Sequence, residues 1–156
     1  MITIPPSSPA YAMWDHVADA TNPLLGVALV IGLILLWRSD KIRARGIFLM
    51  TVLSVVLIYI IRTVEAHYDV WAHWGMNFST HAAMNIALGL GLALVWPRRW
   101  WVFGLIFIAY CWLMMIMQYH TLADILTTSV LILPLCGLCQ YLAWRRRTTA
   151  RIEEGA

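Results

Sequence analysis

Apolar residues fall into five runs along the chain, about 17–37, 46–64, 80–96, 100–118 and 122–144. Each is close to the roughly 20 residues that an α-helix needs to cross a bilayer core of about 30 Å. Short polar connections separate them, and nothing else in the chain has the pattern of a folded domain. The pattern predicts an all-α, polytopic membrane helix bundle with about five transmembrane helices. Residues 1–22 read as an N-terminal interfacial segment, 23–144 as the bundle and 145–156 as a basic tail. The stretch Tyr11 to Asn22 mixes Trp14 with Asp15 and Asp19, as interfacial segments do, and Pro23 is expected in the first turn of the first spanning helix.

Composition narrows the class. Of the 156 residues 62% are hydrophobic and only 12% charged, with a mean hydropathy of +0.74, whereas soluble domains carry about a quarter charged residues. Soluble enzyme folds are excluded. The net charge of +3 and pI near 9.0 do not indicate a nucleic-acid partner, because ten of the eleven basic residues flank apolar runs. Arg38, Lys41, Arg43 and Arg45 follow the first run, Arg98 and Arg99 the third, and Arg145, Arg146, Arg147 and Arg151 the fifth. These alternate connections share one side, which the positive-inside rule makes cytoplasmic. The N-terminus is then outside and the C-terminus inside. Trp37, Trp96, Trp100, Trp101 and Trp144 fall at the inner boundary, and Trp14, Trp71 and Trp74 at the outer one, as interfacial anchors.

No Lys or Arg precedes the first run, so that run lacks the basic flank of a cleavable signal and is expected to stay as a helix. Cys111, Cys136 and Cys139 all lie inside apolar runs; this argues against a disulfide framework and makes them small buried side chains rather than a metal or redox motif.

Polar groups at the ends of membrane helices are costly unless they reach water or one another. They converge on the outer side. Arg62, Glu65, His67, Asp69 and His73 occupy one connection, which leads into Asn77-Phe78-Ser79-Thr80-His81; Tyr119-His120 and Asp124 open the fifth run at the same depth. Glu65, His67, Asp69 and His73 read as solvated loop residues. His120 and Asp124 are four apart, so on a helix they share a face and the carboxylate holds the imidazole in one tautomer. His81, from another helix, supplies a second acid–base group of the kind that phosphoryl or acyl transfer requires.

Phe78-Ser79-Thr80-His81-Ala82-Ala83 resembles the second signature of the type 2 phosphatidic acid phosphatase superfamily, normally Pro-Ser-Gly-His, and His120-x-x-x-Asp124 resembles the third. The match covers roughly residues 55–130. The resemblance implies a lipid phosphatase or phosphotransferase in which His120 is the nucleophile, Asp124 orients it and His81 protonates the leaving oxygen. It places Arg62, Ser79 and Thr80 at the substrate, where the helical stripe of His81 adds Asn85 as a further candidate, and calls for no cofactor and no metal. The departures are specific. Val55 stands where the first signature has Lys, Met114 where an Arg precedes the third-signature histidine, and Thr80 where the second has Gly. In lacking that Arg the chain is similar to the sphingomyelin-synthase-like branch, and with fewer cations a phosphodiester headgroup is easier to accommodate than a phosphomonoester. The family core has six helices; the missing one here is the first, which carries no signature. Asn85 lies on the stripe of His81 and Gly89, facing either the site or a neighbouring helix, and Ala83, Ala87 and Gly91 form a small-residue stripe for close helix approach.

The expected partner is a lipid substrate in a bacterial inner membrane, with the site facing the periplasm; a homo-oligomer is left open. Two other readings compete with the enzyme. One is a metal-binding membrane protein using His67, His73, His81, His120, Glu65, Asp69 and Asp124. The other is a non-catalytic scaffold that kept the fold after losing phosphate-binding cations.

Overall fold

The computed structural model of the chain describes residues 4–5 and 7–154, and side chains for all of these except 9 and 143–154. Among the described residues it is all-helical, with no strand. Five helices follow one another as α1 (Pro9–Trp37), α2 (Lys41–Tyr68), α3 (Thr80–Val95), α4 (Trp100–Ile116) and α5 (Leu122–Glu154). Four helices are long and apolar enough to cross a membrane, while Thr80–Val95 is a shorter apolar helix. The chain is therefore a multi-pass membrane protein by helix length and apolarity.

The short helix is the central one. α3 touches all four of the others, and nine of its residues, from Ala82 to Val95, are buried. Its 16 residues span about 24 Å, whereas α1 and α2 span above 40 Å at 1.5 Å per residue. The N-terminus of α3 consequently opens into a recess walled by longer helices. Small residues make the central position tenable. Ala83 and Ala87 pack with Ile58 of α2 and Ile132 and Cys136 of α5. A Cβ on Gly91 would stand 2.9 Å from Thr51 Oγ1, and one on Gly32 of α1 would stand 2.9 Å from the Val95 and Trp96 side chains. The small-residue stripe of α3 thus does what its spacing predicts.

Outward faces of the long helices carry Val27, Ile31 and Ile34 of α1, Val52 and Val56 of α2, Leu105 and Ile108 of α4 and Val130 of α5, all exposed. Such a surface is tolerable in lipid, where backbone groups must be satisfied within helices and apolar side chains need no cover.

Two boundaries differ from the sequence reading. Pro23 lies in the interior of α1, which already begins at Pro9, so the 11–22 stretch is continuous with the spanning helix. Breaking a helix in an apolar medium strands several backbone groups, which costs more than the single hydrogen bond that proline removes. At the other end α5 continues to Glu154, through Arg, Ala and Glu residues that favour helix. The side chains of Trp144, Arg145, Arg146, Arg147 and Arg151, read as a boundary anchor and a basic tail, lie outside the described residues. All three cysteines are buried and free. Trp71, expected as an interfacial anchor, is half-buried: its ring packs edge-on to Phe78 at 5.2 Å and its indole Nε1 donates to Thr127 Oγ1 at 3.1 Å.

Candidate functional site

The candidate site is built at the N-termini of α3 and α5, and each terminus is held by a side-chain cap. Ser79 precedes α3, and its hydroxyl accepts from the Ala82 amide at 3.3 Å. At the start of α5, Asp124 Oδ2 accepts from the Thr121 amide at 2.8 Å while Thr121 Oγ1 accepts from the Asp124 amide at 3.2 Å. This reciprocal exchange is a capping box. Two free helix ends are thereby fixed, and with them the residues that follow.

The connection between α2 and α3 is laced to one face of α5. The Asn77 amide donates to Asp124 Oδ1 at 2.7 Å, the Ser79 amide to Thr128 Oγ1 at 2.9 Å, and the Trp71 indole to Thr127. Positions 124, 127 and 128 share a face because three and four residues complete about one helical turn. On the α2 side, Glu65 is only 6% exposed, and its Oε2 accepts from the Trp71 amide at 2.9 Å. Asp69 ends α2 in the left-handed region at φ 51°, turning the chain.

The result is a polar cavity of about 350 Å³ lined by Arg62 and Glu65 of α2, Asn77, Phe78 and Thr80 of the connection and the start of α3, and His81, Tyr119 and His120. The rings of His81 and His120 both line it, tilted 55° to one another with centroids 6.5 Å apart. Arg62 is the one guanidinium among the described residues of the lining.

Both imidazoles are oriented from behind. Tyr110 OH donates to the Ala18 carbonyl at 3.2 Å and lies 3.0 Å from His81 Nδ1. With the hydroxyl proton committed to Ala18, Nδ1 of His81 is the donor and its Nε2 is left free toward the cavity. His120 Nδ1 is buried with no hydrogen-bond partner and stands 3.8 Å from Asp124 Oδ2. That separation is an electrostatic contact rather than a hydrogen bond. It favours the proton on Nδ1 and leaves Nε2 as the free nucleophilic nitrogen. Burial pushes the His120 pKa below its ordinary value of 6.5; the Asp124 carboxylate works against that shift and His81 adds to it. His120 therefore stands neutral near pH 7.

Of the residues expected at a substrate, Arg62, Thr80, His81 and His120 line this cavity, and Asp124 backs it. Ser79 and Asn85 do not line it. Ser79 is fully buried, with its hydroxyl spent on the cap of α3. Asn85 is 1% exposed and donates to Asn22 Oδ1 of α1 at 3.2 Å, while Asn22 Nδ2 donates to the His81 carbonyl at 3.1 Å. Asn85 thus has the helix-to-helix role, an interaction of roughly 0.6 kcal/mol in membrane helices. Met114, where the family pattern has Arg, is fully buried in a cluster with Ala82 and Ile125.

Glu65 was read as a solvated loop residue, and the structure corrects this: it is on α2, buried and part of the cavity. The pattern of apolar run 46–64 ended one residue too early to reveal it. His67, Asp69 and His73 are exposed, as expected of solvated residues. Among the described residues no three His, Cys, Asp or Glu side chains gather as a metal site, so the seven ligands of the metal-binding reading are not brought together.

No model of a known protein family, no curated protein and no solved structure matches the chain.

Proposed function

We propose that this cavity transfers a phosphoryl group, making the protein a membrane lipid phosphatase or phosphotransferase that works through a phosphohistidine on His120. The observation that carries the proposal is the pair of imidazoles, backed by Asp124 and Tyr110 and lining one polar cavity with their centroids 6.5 Å apart, beside the Arg62 guanidinium. The resemblance of the His81 and His120-x-x-x-Asp124 segments to superfamily signatures points the same way.

In the first half-reaction Nε2 of neutral His120 attacks phosphorus, forming a P–N bond as the P–O bond to the leaving group breaks. The leaving oxygen takes a proton from Nε2 of protonated His81. Asp124 offsets the positive charge that develops on the His120 ring, and Arg62 binds the non-bridging oxygens. In the second half-reaction, water or a lipid hydroxyl gives its proton to His81 and attacks phosphorus, and the P–N bond breaks to restore His120. No step calls on a metal or cofactor.

The cavity lining carries one guanidinium and one carboxylate. A phosphomonoester bears nearly two negative charges, and its transition state draws heavily on cationic donors. A lining with so little positive charge is better suited to the single charge of a phosphodiester, so a phospholipid headgroup is the favoured substrate over a terminal phosphate. The asymmetry of basic residues supports a cavity that opens at the outer face, the periplasmic side of a bacterial inner membrane.

The test is ³¹P NMR of the detergent-purified protein, with and without chelator, on phosphatidic acid, phosphatidylglycerol phosphate, polyprenyl pyrophosphate and common phosphodiester phospholipids. A new phosphate or headgroup signal, absent with His120→Ala and insensitive to chelator, is the expected result. An unchanged spectrum for every lipid contradicts the proposal and favours the scaffold reading; activity abolished by chelator favours the metal-binding one.

A further inference from the structure

At the end of the bundle away from the cavity, α1 and α2 leave an apolar groove of about 630 Å³ between them. Its walls include Val30 and Ile34 of α1 and Phe48 and Leu49 of α2, and two guanidinium-bearing residues, Arg38 and Arg45, border it. Three arginines cluster near this turn, and they are used differently. Arg43 donates through Nη2 to the Leu94 carbonyl near the C-terminus of α3, so its charge is committed within the bundle. Arg38 and Arg45 are exposed and make no side-chain hydrogen bond or ion pair among the described residues.

An apolar trough bordered by two uncommitted cations is complementary to a molecule with a hydrocarbon chain and a net negative head. We infer that the groove binds one anionic phospholipid, its acyl chain along Ile34, Phe48 and Leu49 and its phosphate between Arg38 and Arg45. A zwitterionic lipid has the same chain and phosphate, but its ammonium cancels the attraction. The site is independent of the proposed chemistry and lies outside the cavity that performs it. The pair Arg98–Arg99 has the same charge but lies beside Val95, Trp96 and Pro97 rather than between walls from α1 and α2, and so serves as a control.

Attraction of about 1 kcal/mol for each basic residue near anionic lipid corresponds to about fivefold in affinity, or about thirtyfold for the pair. Native mass spectrometry of the full chain, released from micelles containing equal phosphatidylglycerol and phosphatidylcholine of matched chains, reads this ratio. The expected result is one retained phosphatidylglycerol in strong preference to phosphatidylcholine. Arg38→Gln/Arg45→Gln removes the preference, and Arg98→Gln/Arg99→Gln keeps it. Leu49→Trp fills the groove with every arginine in place and also abolishes retention; circular dichroism confirms that each variant is folded. Equal loss in both arginine pairs, or full retention in Leu49→Trp, overturns the inference in favour of general surface attraction. A lipid-free dimer broken by Arg38→Gln/Arg45→Gln overturns it in favour of a second copy of the chain.

Discussion

The two ends of the helix bundle treat charged side chains in opposite ways. At the cavity end, Glu65 and Asp124 are buried, His120 is half-buried and the exposed His81 is tied through its ring to Tyr110, so these groups are held by other parts of the chain. Asp124 is 3% exposed and bonded by two backbone amides, Glu65 accepts from Trp71, and His81 is backed by Tyr110. At the far end, Arg38 and Arg45 stand exposed beside an apolar groove with no partner among the described residues. Holding polar groups in fixed positions costs conformational entropy and desolvation; the far end does so with Arg43 and the Asp40 cap, the cavity end with two carboxylates and two imidazoles. In the proposed lipid site, the charges of Arg38 and Arg45 pair with a phospholipid headgroup.

The largest test of this contrast compares one substitution at each end. His120→Ala is expected to lower phosphoryl-transfer turnover by about a thousandfold or more, because it removes the attacking nitrogen. Arg98→Gln, at the far end, is expected to leave turnover within about twofold. Comparable losses from both, measured as ³¹P product formation, would dissolve the distinction between the ends.

A second substitution separates architecture from chemistry. Asp124→Ala removes the acceptor for two backbone amides and half of the capping box, and is expected to lower stability by about 3 kcal/mol in thermal unfolding in detergent. Asp124→Asn keeps an acceptor oxygen and is expected to lose only about 1 kcal/mol while still impairing turnover, since the amide no longer stabilises the charged His120 ring. Equal stability for both variants would mean that the cap contributes little.

Tyr110→Phe has a smaller expected effect. It removes the hydroxyl that links Ala18 to His81 and is expected to destabilise the fold by about 1 kcal/mol. Its clearer mark is on turnover: with Nδ1 of His81 released, the proton donor is no longer held in place, and product formation falls by about tenfold or more in protein that is still folded. Unchanged turnover would argue against a positioning role for Tyr110.

The smallest expected effect is in the acid limb. Burial lowers the His120 pKa from 6.5, and the neutral ring is the nucleophile. Turnover therefore rises as pH climbs through that lowered value, so the midpoint of the acid limb lies below 6.5. The same shift has a linkage consequence. Between the lowered value and about 6.5 the unfolded chain holds a proton on this residue that the folded protein does not, so stability also rises with pH across that window. An acid limb above 6.5 would contradict the buried placement of His120.

Much of this architecture was legible in the chain because lipid allows few alternatives. Apolar run length located all five helices, and the repeat of small residues at Ala83, Ala87 and Gly91 marked α3 for close packing before its central position was known. The convergence of Arg62, His81 and His120 followed from alternating helix direction, since short connections place the ends of α2 and α4 beside the starts of α3 and α5. What was missed has a common physical cause. Ser79 and Asp124 were read for chemistry, yet both are also caps: Thr121-x-x-Asp124 is a capping-box pattern that the sequence displays, and Ser79 sits where a helix needs an acceptor. Glu65 and the pairing of Asn85 with Asn22 depend on which faces of distant helices meet. Periodicity within one helix carries no such information.

The central claim is that His120 becomes covalently phosphorylated, and it is tested most directly by quenching the purified protein during turnover and measuring its intact mass and peptide map under alkaline conditions, which preserve phosphoramidates. The account predicts an acid-labile adduct with the mass of phosphate or a phosphorylated headgroup on the peptide containing His120, absent in His120→Ala and more abundant when His81→Ala slows its breakdown. Product formation that persists in His120→Ala, with no adduct on that peptide at any time point, would contradict it.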